Sequence, residues 1–98
     1  MEIIKKQNKD ELILALVGSL NSSTFEELED VISDSLKGIK TLIFDLKKLE
    51  YISSAGLRVL LTAKKIMDKQ GKMIIRNATD DVMDIFVITG FSSILDFE

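Results

Sequence analysis

The sequence predicts an α/β fold (α+β in some schemes): a small mixed β-sheet with helices packed against it, in the order β-β-α-β-α-β-α-β. Three observations carry that reading. Short apolar runs at Leu12–Val17, Leu42–Leu46 and Met73–Ile75 are bounded by turn signals, as strands are. The segments between them place apolar residues at helical spacing. Strands that alternate with helices imply substantial parallel pairing and right-handed crossovers.

Taken in order, Ile3–Lys5 reads as a short strand, and Asn8, Lys9 and Asp10 make a turn that lets the first two strands pair as a hairpin. Leu12–Val17 (LILALV) is continuously apolar and reads as a strand buried on both faces, ended by Gly18. Ser23 or Thr24 caps the next helix, and Thr24 with Glu27 has capping-box spacing. Phe25, Leu28, Ile32 and Leu36 form its apolar side; Glu26, Glu27, Glu29, Asp30 and Asp34 form its wet side, and Gly38 terminates it. Leu42–Leu46 (LIFDL) is a second buried strand, and Lys47–Ser54 leads from it into another helix.

That helix buries Leu57, Leu60, Leu61, Ala63, Ile66 and Met67, shows a polar stripe of Arg58, Thr62, Lys65 and Lys69, and stops at Gly71. Met73–Ile75 is a third core strand. Thr79 caps a short helix with Asp80 and Asp81 in its first turn and Val82, Ile85 and Phe86 on its apolar side; Gly90 ends it. Ile94–Phe97 is a final edge strand. Met67, Met73 and Met83 are core fillers.

Length and composition set bounds on function. The 98 residues fit one domain spanning 1–98, and 46% hydrophobic residues supply one core. A net charge of −3 argues against a general nucleic-acid binder, which needs a basic face. No apolar run approaches the roughly 20 residues that span a bilayer, so no membrane association is expected. The start, MEIIKKQNKDEL, lacks the apolar core and cleavage site of a signal peptide, so cytoplasmic residence is the expectation. Cysteine and histidine are both absent. That excludes disulfides, Cys/His zinc sites and hydrolases of the Ser-His-Asp or Cys-His kind. Gly18-Ser-Leu-Asn-Ser lacks the Gly-Lys-Ser/Thr ending of a phosphate loop, and no GxGxxG is present. Neither a cofactor nor a metal is expected, and the chain reads as a non-enzyme.

The informative segment runs from Asp45 to Leu61, from a buried strand into an apolar helix with two serines and a glycine at its start. The first N–H groups of a helix lack intrahelical partners, and with the helix dipole they stabilise negative charge. A phosphate on a serine there is compatible with an intact fold while adding about −1.5 to −2 of charge to the surface.

Asp45, Leu46, Leu49, Tyr51, Ile52, Ser53, Ser54, Ala55, Gly56 and Leu57 resemble the signature of the STAS family, D-L-x-x-(apolar)-x-(aromatic)-(apolar)-(D/S)-S-(S/A/T)-G-L. Leu16-Val-Gly-Ser-Leu-Asn21 is similar to the family's L-x-G-x-L-(D/N) strand end, and Ile88-Thr-Gly-Phe91 to its C-terminal T/S-G stretch. The likeness extends along nearly the whole chain and points to the anti-sigma-factor-antagonist type within the family. It implies a protein that binds an anti-sigma factor which is also a serine kinase, thereby releasing a sigma factor. Phosphorylation at the helix start ends the binding, and a serine phosphatase restores it. The implied phosphoacceptor is Ser54, with Ser53 as the alternative because many members carry Asp where Ser53 stands. Asn21 stands where many members have Asp, in a loop that the resemblance places beside the phosphoacceptor. The partner-binding set is then Asn21, Ser22, Ser23, Thr24, Ser53, Ser54, Ala55, Gly56, Leu57, Arg58 and Thr62, in a monomer or weak dimer.

Plainer roles stand beside these. Ser53 or Ser54 can serve as an N-cap, Ser22, Ser23 and Thr24 as caps, and Gly56 can simply permit close helix–sheet packing. The Arg58–Lys69 stripe can be a solvated face. Asp45 ends a strand like a receiver-domain acceptor, but the acidic pair expected after the first strand is missing, so it reads as an acceptor for the following N–H groups. The rival functional readings are a non-switching STAS scaffold or interaction module in a signalling assembly and, weakest, an enzyme or small-ligand carrier.

Overall fold

The computed structural model describes residues 1–98. Its elements are β1 (Glu2–Asn8), β2 (Glu11–Leu20), α1 (Phe25–Ser35), β3 (Thr41–Ile52), α2 (Ser54–Asp68), β4 (Lys72–Arg76), α3 (Asp80–Thr89), a 3-10 turn (Phe91–Ser93) and β5 (Asp96–Phe97). The five strands lie in the sheet in chain order; β1 and β2 pair antiparallel, and all later neighbours pair parallel. The predicted mixed sheet and element order are those observed.

Chain-order stepping has a geometric consequence. Each βαβ crossover advances one strand in the same direction. Crossovers of one hand that never reverse place every helix on one face. A single core of 23 buried residues accordingly joins Leu12, Leu14, Leu16, Leu42, Phe44, Leu46, Met73 and Ile75 of the sheet to Leu28, Ile32, Leu57, Leu60, Ala63, Val82 and Phe86 of the three helices. The molecule is thin, 32 × 26 × 19 Å, as two layers require.

The other sheet face carries no helix. Ile13, Ile43 and Ile74 are lateral neighbours there by register, outside the main core. This corrects the expectation that LILALV is buried on both faces: Leu12, Leu14 and Leu16 are buried, whereas Ile13, Ala15 and Val17 are only half-buried. Ile43 is buried at 3% exposure, flanked by its neighbours in the sheet.

Strand boundaries also differ from those expected. β1 is longer than Ile3–Lys5. β2 does not end at Gly18 but continues to Leu20, with Gly18 at φ +105° inside it. β3 runs on through the stretch read as a connection, to Ile52. Its continuation is irregular. The register with β2 shifts between Ala15 and Val17 and again between Gly18 and Ser19, each time with one extra residue on β3. Two bulges therefore turn a period of two into steps of three, and Leu46, Leu49 and Ile52 all stay buried in the core. At the chain's end, β5 is only Asp96–Phe97, because Phe91–Ser93 forms a 3-10 turn and Leu95 is drawn into the core.

The amino-terminal ends of the parallel strands are tied together. The Asp10 carbonyl accepts from the N–H groups of Lys40 (2.8 Å) and Thr41 (3.2 Å), and the Lys40 carbonyl accepts from Lys72 N–H (2.9 Å). Gln70 Nε2 donates to the carbonyls of Leu36 (2.6 Å) and Ile39 (2.7 Å). Gly71 follows α2 by three residues and is less a helix stop than a point of contact: a Cβ on it would lie 1.9 Å from the Lys40 carbonyl oxygen. Gly38 differs, sitting at φ +79° after α1 with open space around it.

Gly71→Ala is expected to destabilise the domain by about 2 kcal/mol or more, as overpacking against backbone does. Gly38→Ala is expected to cost about 1 kcal/mol from the left-handed backbone alone. Urea unfolding midpoints of the two variants, at unchanged m-value, check the order.

Candidate partner-binding face

The site forms where β2 and β3 end together. Leu20 and Ile52 are partners in register, both buried, and Ser53 N–H donates to the Leu20 carbonyl at 2.9 Å. The loop after β2 and the start of α2 are thereby neighbours. Gly56 fixes how closely they meet: a Cβ there would lie 2.7 Å from Leu20 Cγ and 2.9 Å from Ile52 Cγ1. Of its two sequence readings, close helix–sheet packing is the one that the geometry supports.

The two serines have different surroundings. Ser53 is the N-cap of α2, with extended backbone (φ −96°, ψ 177°), half-buried, its Oγ accepting from Gly56 N–H at a long 3.4 Å. Its carbonyl accepts the first helical bond, from Leu57 N–H at 2.9 Å. Ser54 is the first helical residue, exposed, and its hydroxyl forms no hydrogen bond within the chain. Neither serine is deep in the interior.

Across the junction, Asn21–Thr24 is a compact turn. Asn21 Oδ1 accepts from Ser23 N–H (2.8 Å), and Thr24 Oγ1 accepts from Asn21 N–H (2.9 Å) while donating to the Ser19 carbonyl (2.8 Å). This corrects the expected capping of α1. Thr24 occupies the N-cap position, but its hydroxyl reaches back into the loop and makes no cap bond, as Ser23 makes none. The competing local acceptors and donors of the turn hold the hydroxyl instead. Thr79, by contrast, caps α3 as predicted, accepting from Val82 N–H at 3.3 Å, and Gly90 ends that helix in the left-handed region at φ +82°.

The predicted contact residues thus sort by access. Ser22, Ser23, Ser54, Arg58 and Thr62 are exposed; Asn21, Thr24, Ser53 and Ala55 are half-buried; Gly56 and Leu57 are buried and belong to the packing beneath the face. Tyr51, two residues before Ser53, is 50% exposed. It was legible as the aromatic of the signature but not as a surface group, because its outward direction depends on the second bulge of β3. Asp45 lies away from this face and accepts from Lys47 N–H (3.1 Å) and Asn77 Nδ2 (3.2 Å).

Charge divides across the face. The exposed Glu26, Glu27, Glu29, Asp30 and Asp34 lie on α1, which has no basic residue, whereas Arg58, Lys65 and Lys69 are exposed along α2 and its cap. The face is not a cleft. Because the strand order never reverses, there is no switch-point crevice of the kind that holds ligands in doubly wound sheets. Three hollows mark the surface; Ser54 and Arg58 line none of them, and Thr62 lines a shallow one with Lys65 and Lys69 farther along α2. A flat, exposed face suits a macromolecular partner better than a small molecule.

Comparison with known proteins places the fold in a family. The family model described as the STAS domain matches residues 2–98. The chain belongs to the STAS domain family. Among related STAS proteins, BtrV of Bordetella bronchiseptica, named as an inferred anti-sigma factor antagonist, is 42% identical over 85 residues, covering 85% of this chain and 73% of BtrV. The anti-sigma-B factor antagonist of Listeria monocytogenes is 26% identical over 98 residues, covering 97% of this chain and 85% of that protein. The unphosphorylated form of the anti-sigma factor antagonist SpoIIAA superimposes with a TM-score of 0.86 at 18% identity, over 99% of this chain and 88% of that one. Its phosphorylated form, from Bacillus, gives 0.77 at 17%, over 99% and 91%. At those identities the superpositions establish the shared STAS fold.

Truncating the site's hydroxyls is expected to separate their roles. Thr24→Val removes a donor and acceptor from a half-buried turn and should cost about 1–2 kcal/mol. Ser53→Ala should cost about 0.5–1 kcal/mol, the low end for a cap, given its long bond. Ser54→Ala should change stability by less than about 0.5 kcal/mol. Chemical denaturation of the three variants checks this ranking.

Proposed function

We propose that this STAS domain is an anti-sigma factor antagonist: a binding module rather than an enzyme, which docks on an anti-sigma factor through the face around Ser54 and is switched off by phosphorylation of that serine. The observation that carries the reading is the division of labour between adjacent serines. Ser53 supplies the cap, and Ser54 is left exposed with an unengaged hydroxyl at the first position of a helix. A phosphate there disturbs no internal bond and sits where a helix favours negative charge. The fold therefore tolerates the modification, while a partner meeting the face encounters a new dianion and its desolvation cost.

The relatives' names support the same role, since the Bordetella and Listeria proteins are named as anti-sigma factor antagonists. In this reading the anti-sigma factor is itself the serine kinase, a serine phosphatase resets the switch, and the docking surface comprises Asn21–Thr24, Ser53–Ala55, Tyr51, Arg58 and Thr62. No helix is long and apolar enough to cross a membrane.

The experiment is binding of a cognate anti-sigma factor, measured by calorimetry or pull-down. Ser54→Ala is expected to bind within a few-fold of the unmodified protein. Ser54→Asp, or protein phosphorylated at Ser54, is expected to bind at least about a hundredfold more weakly, corresponding to ~3 kcal/mol of like-charge and desolvation cost. Undiminished affinity of the phosphorylated protein would falsify the switch. Intact mass after incubation with the kinase and ATP reports whether Ser54 is the acceptor, with Ser54→Ala as the control.

A further inference from the structure

Resting on Ser54 as the phosphoacceptor, we propose that Arg58 is the internal receptor of the phosphate, so that one modification changes two groups on the docking face. Ser54 and Arg58 are four residues apart on α2, hence neighbours on one helix face, with Cβ atoms about 5–6 Å apart in such pairs. Both are exposed. The Arg58 guanidinium has no partner in the unmodified chain: the ion pairs are Lys64–Asp68 and Arg76–Glu98.

Competitors on the same helix are absent or occupied. The first turn of α2 has no acidic residue, and its one carboxylate, Asp68, is held by Lys64 at 2.9 Å. Thr62, the next residue along the stripe, has its hydroxyl donating to the Arg58 backbone carbonyl at 3.0 Å. A planar guanidinium with several N–H donors matches a phosphate better than an ammonium does.

The consequence for recognition is a double change. Before phosphorylation, the face presents a free cation at Arg58 beside a neutral hydroxyl. Afterwards it presents a dianion whose nearest cation is already engaged, so an acidic group on the partner loses its counterpart as well. Arg58 is a positioning residue for the phosphate, and it also contacts the partner in the unmodified state.

The test uses the full chain with phosphoserine placed at position 54 during translation, carrying Arg58, Arg58→Gln or Arg58→Lys. Phosphorus NMR follows the second ionisation of the phosphate. The titratable groups of the flanking elements, Glu26 and Glu27 in the first turn of α1 and Glu50 and Tyr51 at the end of β3, are common to all three proteins, and so is the helix terminus. The difference between the proteins therefore isolates position 58. The Arg58 protein is expected to ionise about half a unit lower than Arg58→Gln, with Arg58→Lys between them, and 0.5 M salt should shrink the difference. Coincident titrations of the Arg58 and Arg58→Gln proteins overturn the inference. Unmodified Arg58→Gln should bind an anti-sigma factor several-fold more weakly than the parent; unchanged binding removes the partner-contact half. The two proposals fail separately. Titration curves that differ while phosphoserine leaves partner affinity intact overturn the switch and keep the ion pair; lost affinity with coincident curves does the reverse.

Discussion

The approach of α2 to the paired ends of β2 and β3 governs the working face. Leu20 and Ile52 lie side by side in parallel register, Ser53 N–H closes on the Leu20 carbonyl, and Gly56 rests its backbone where any side chain would strike Leu20 and Ile52. Buried apolar surface and one backbone bond thus set the position of a polar, exposed stretch. Precision at the surface is inherited from close packing beneath it. Ser54, Arg58 and Thr62 need no bonds of their own to be well placed, because Leu57, Leu60 and Ala63 on the opposite side of the helix are locked in the core.

That arrangement separates stability from recognition. Groups that hold the fold face inward, brace the Asn21–Thr24 turn or cap, whereas the exposed side chains of Ser54 and Arg58 have no structural duty. The same separation accounts for the family comparison. Solved antagonists superimpose closely on this chain although fewer than one residue in five is identical. A two-layer α/β core tolerates hydrophobic exchange at constant volume and pattern, and exposed residues can change with little effect on the fold.

Much of this was legible in the sequence, for reasons that differ by element. The order of elements was readable because each helix carries its own apolar period and each strand its own run, as at Leu28–Ile32 and Leu42–Phe44. Thr79 was readable because capping is local. The course of β3 was not: Leu46, Leu49 and Ile52 recur at intervals of three, which fits neither a strand nor a helix until two bulges are known. Nor was the one-sided burial of LILALV, since an apolar run looks the same whether one or two layers cover it; only the monotonic strand order decides that. Thr24 misled because its hydroxyl had several local partners, and spacing alone does not rank them. The different surroundings of Ser53 and Ser54 also required coordinates, as they are a matter of access and bonding rather than residue type.

The strand starts are built differently from the strand ends. Backbone hydrogen bonds lace Asp10 to Lys40 and Thr41, and Lys40 to Lys72, Gly71 packs on the Lys40 carbonyl, and Gln70 ties the end of α2 to the turn beyond α1. At the opposite pole a single backbone bond joins the neighbouring loops. Amide hydrogens should therefore exchange along a gradient, slowest at the laced base and fastest at the serine-bearing rim. Opening fluctuations should then concentrate at that end of the molecule, while the sheet below keeps its register.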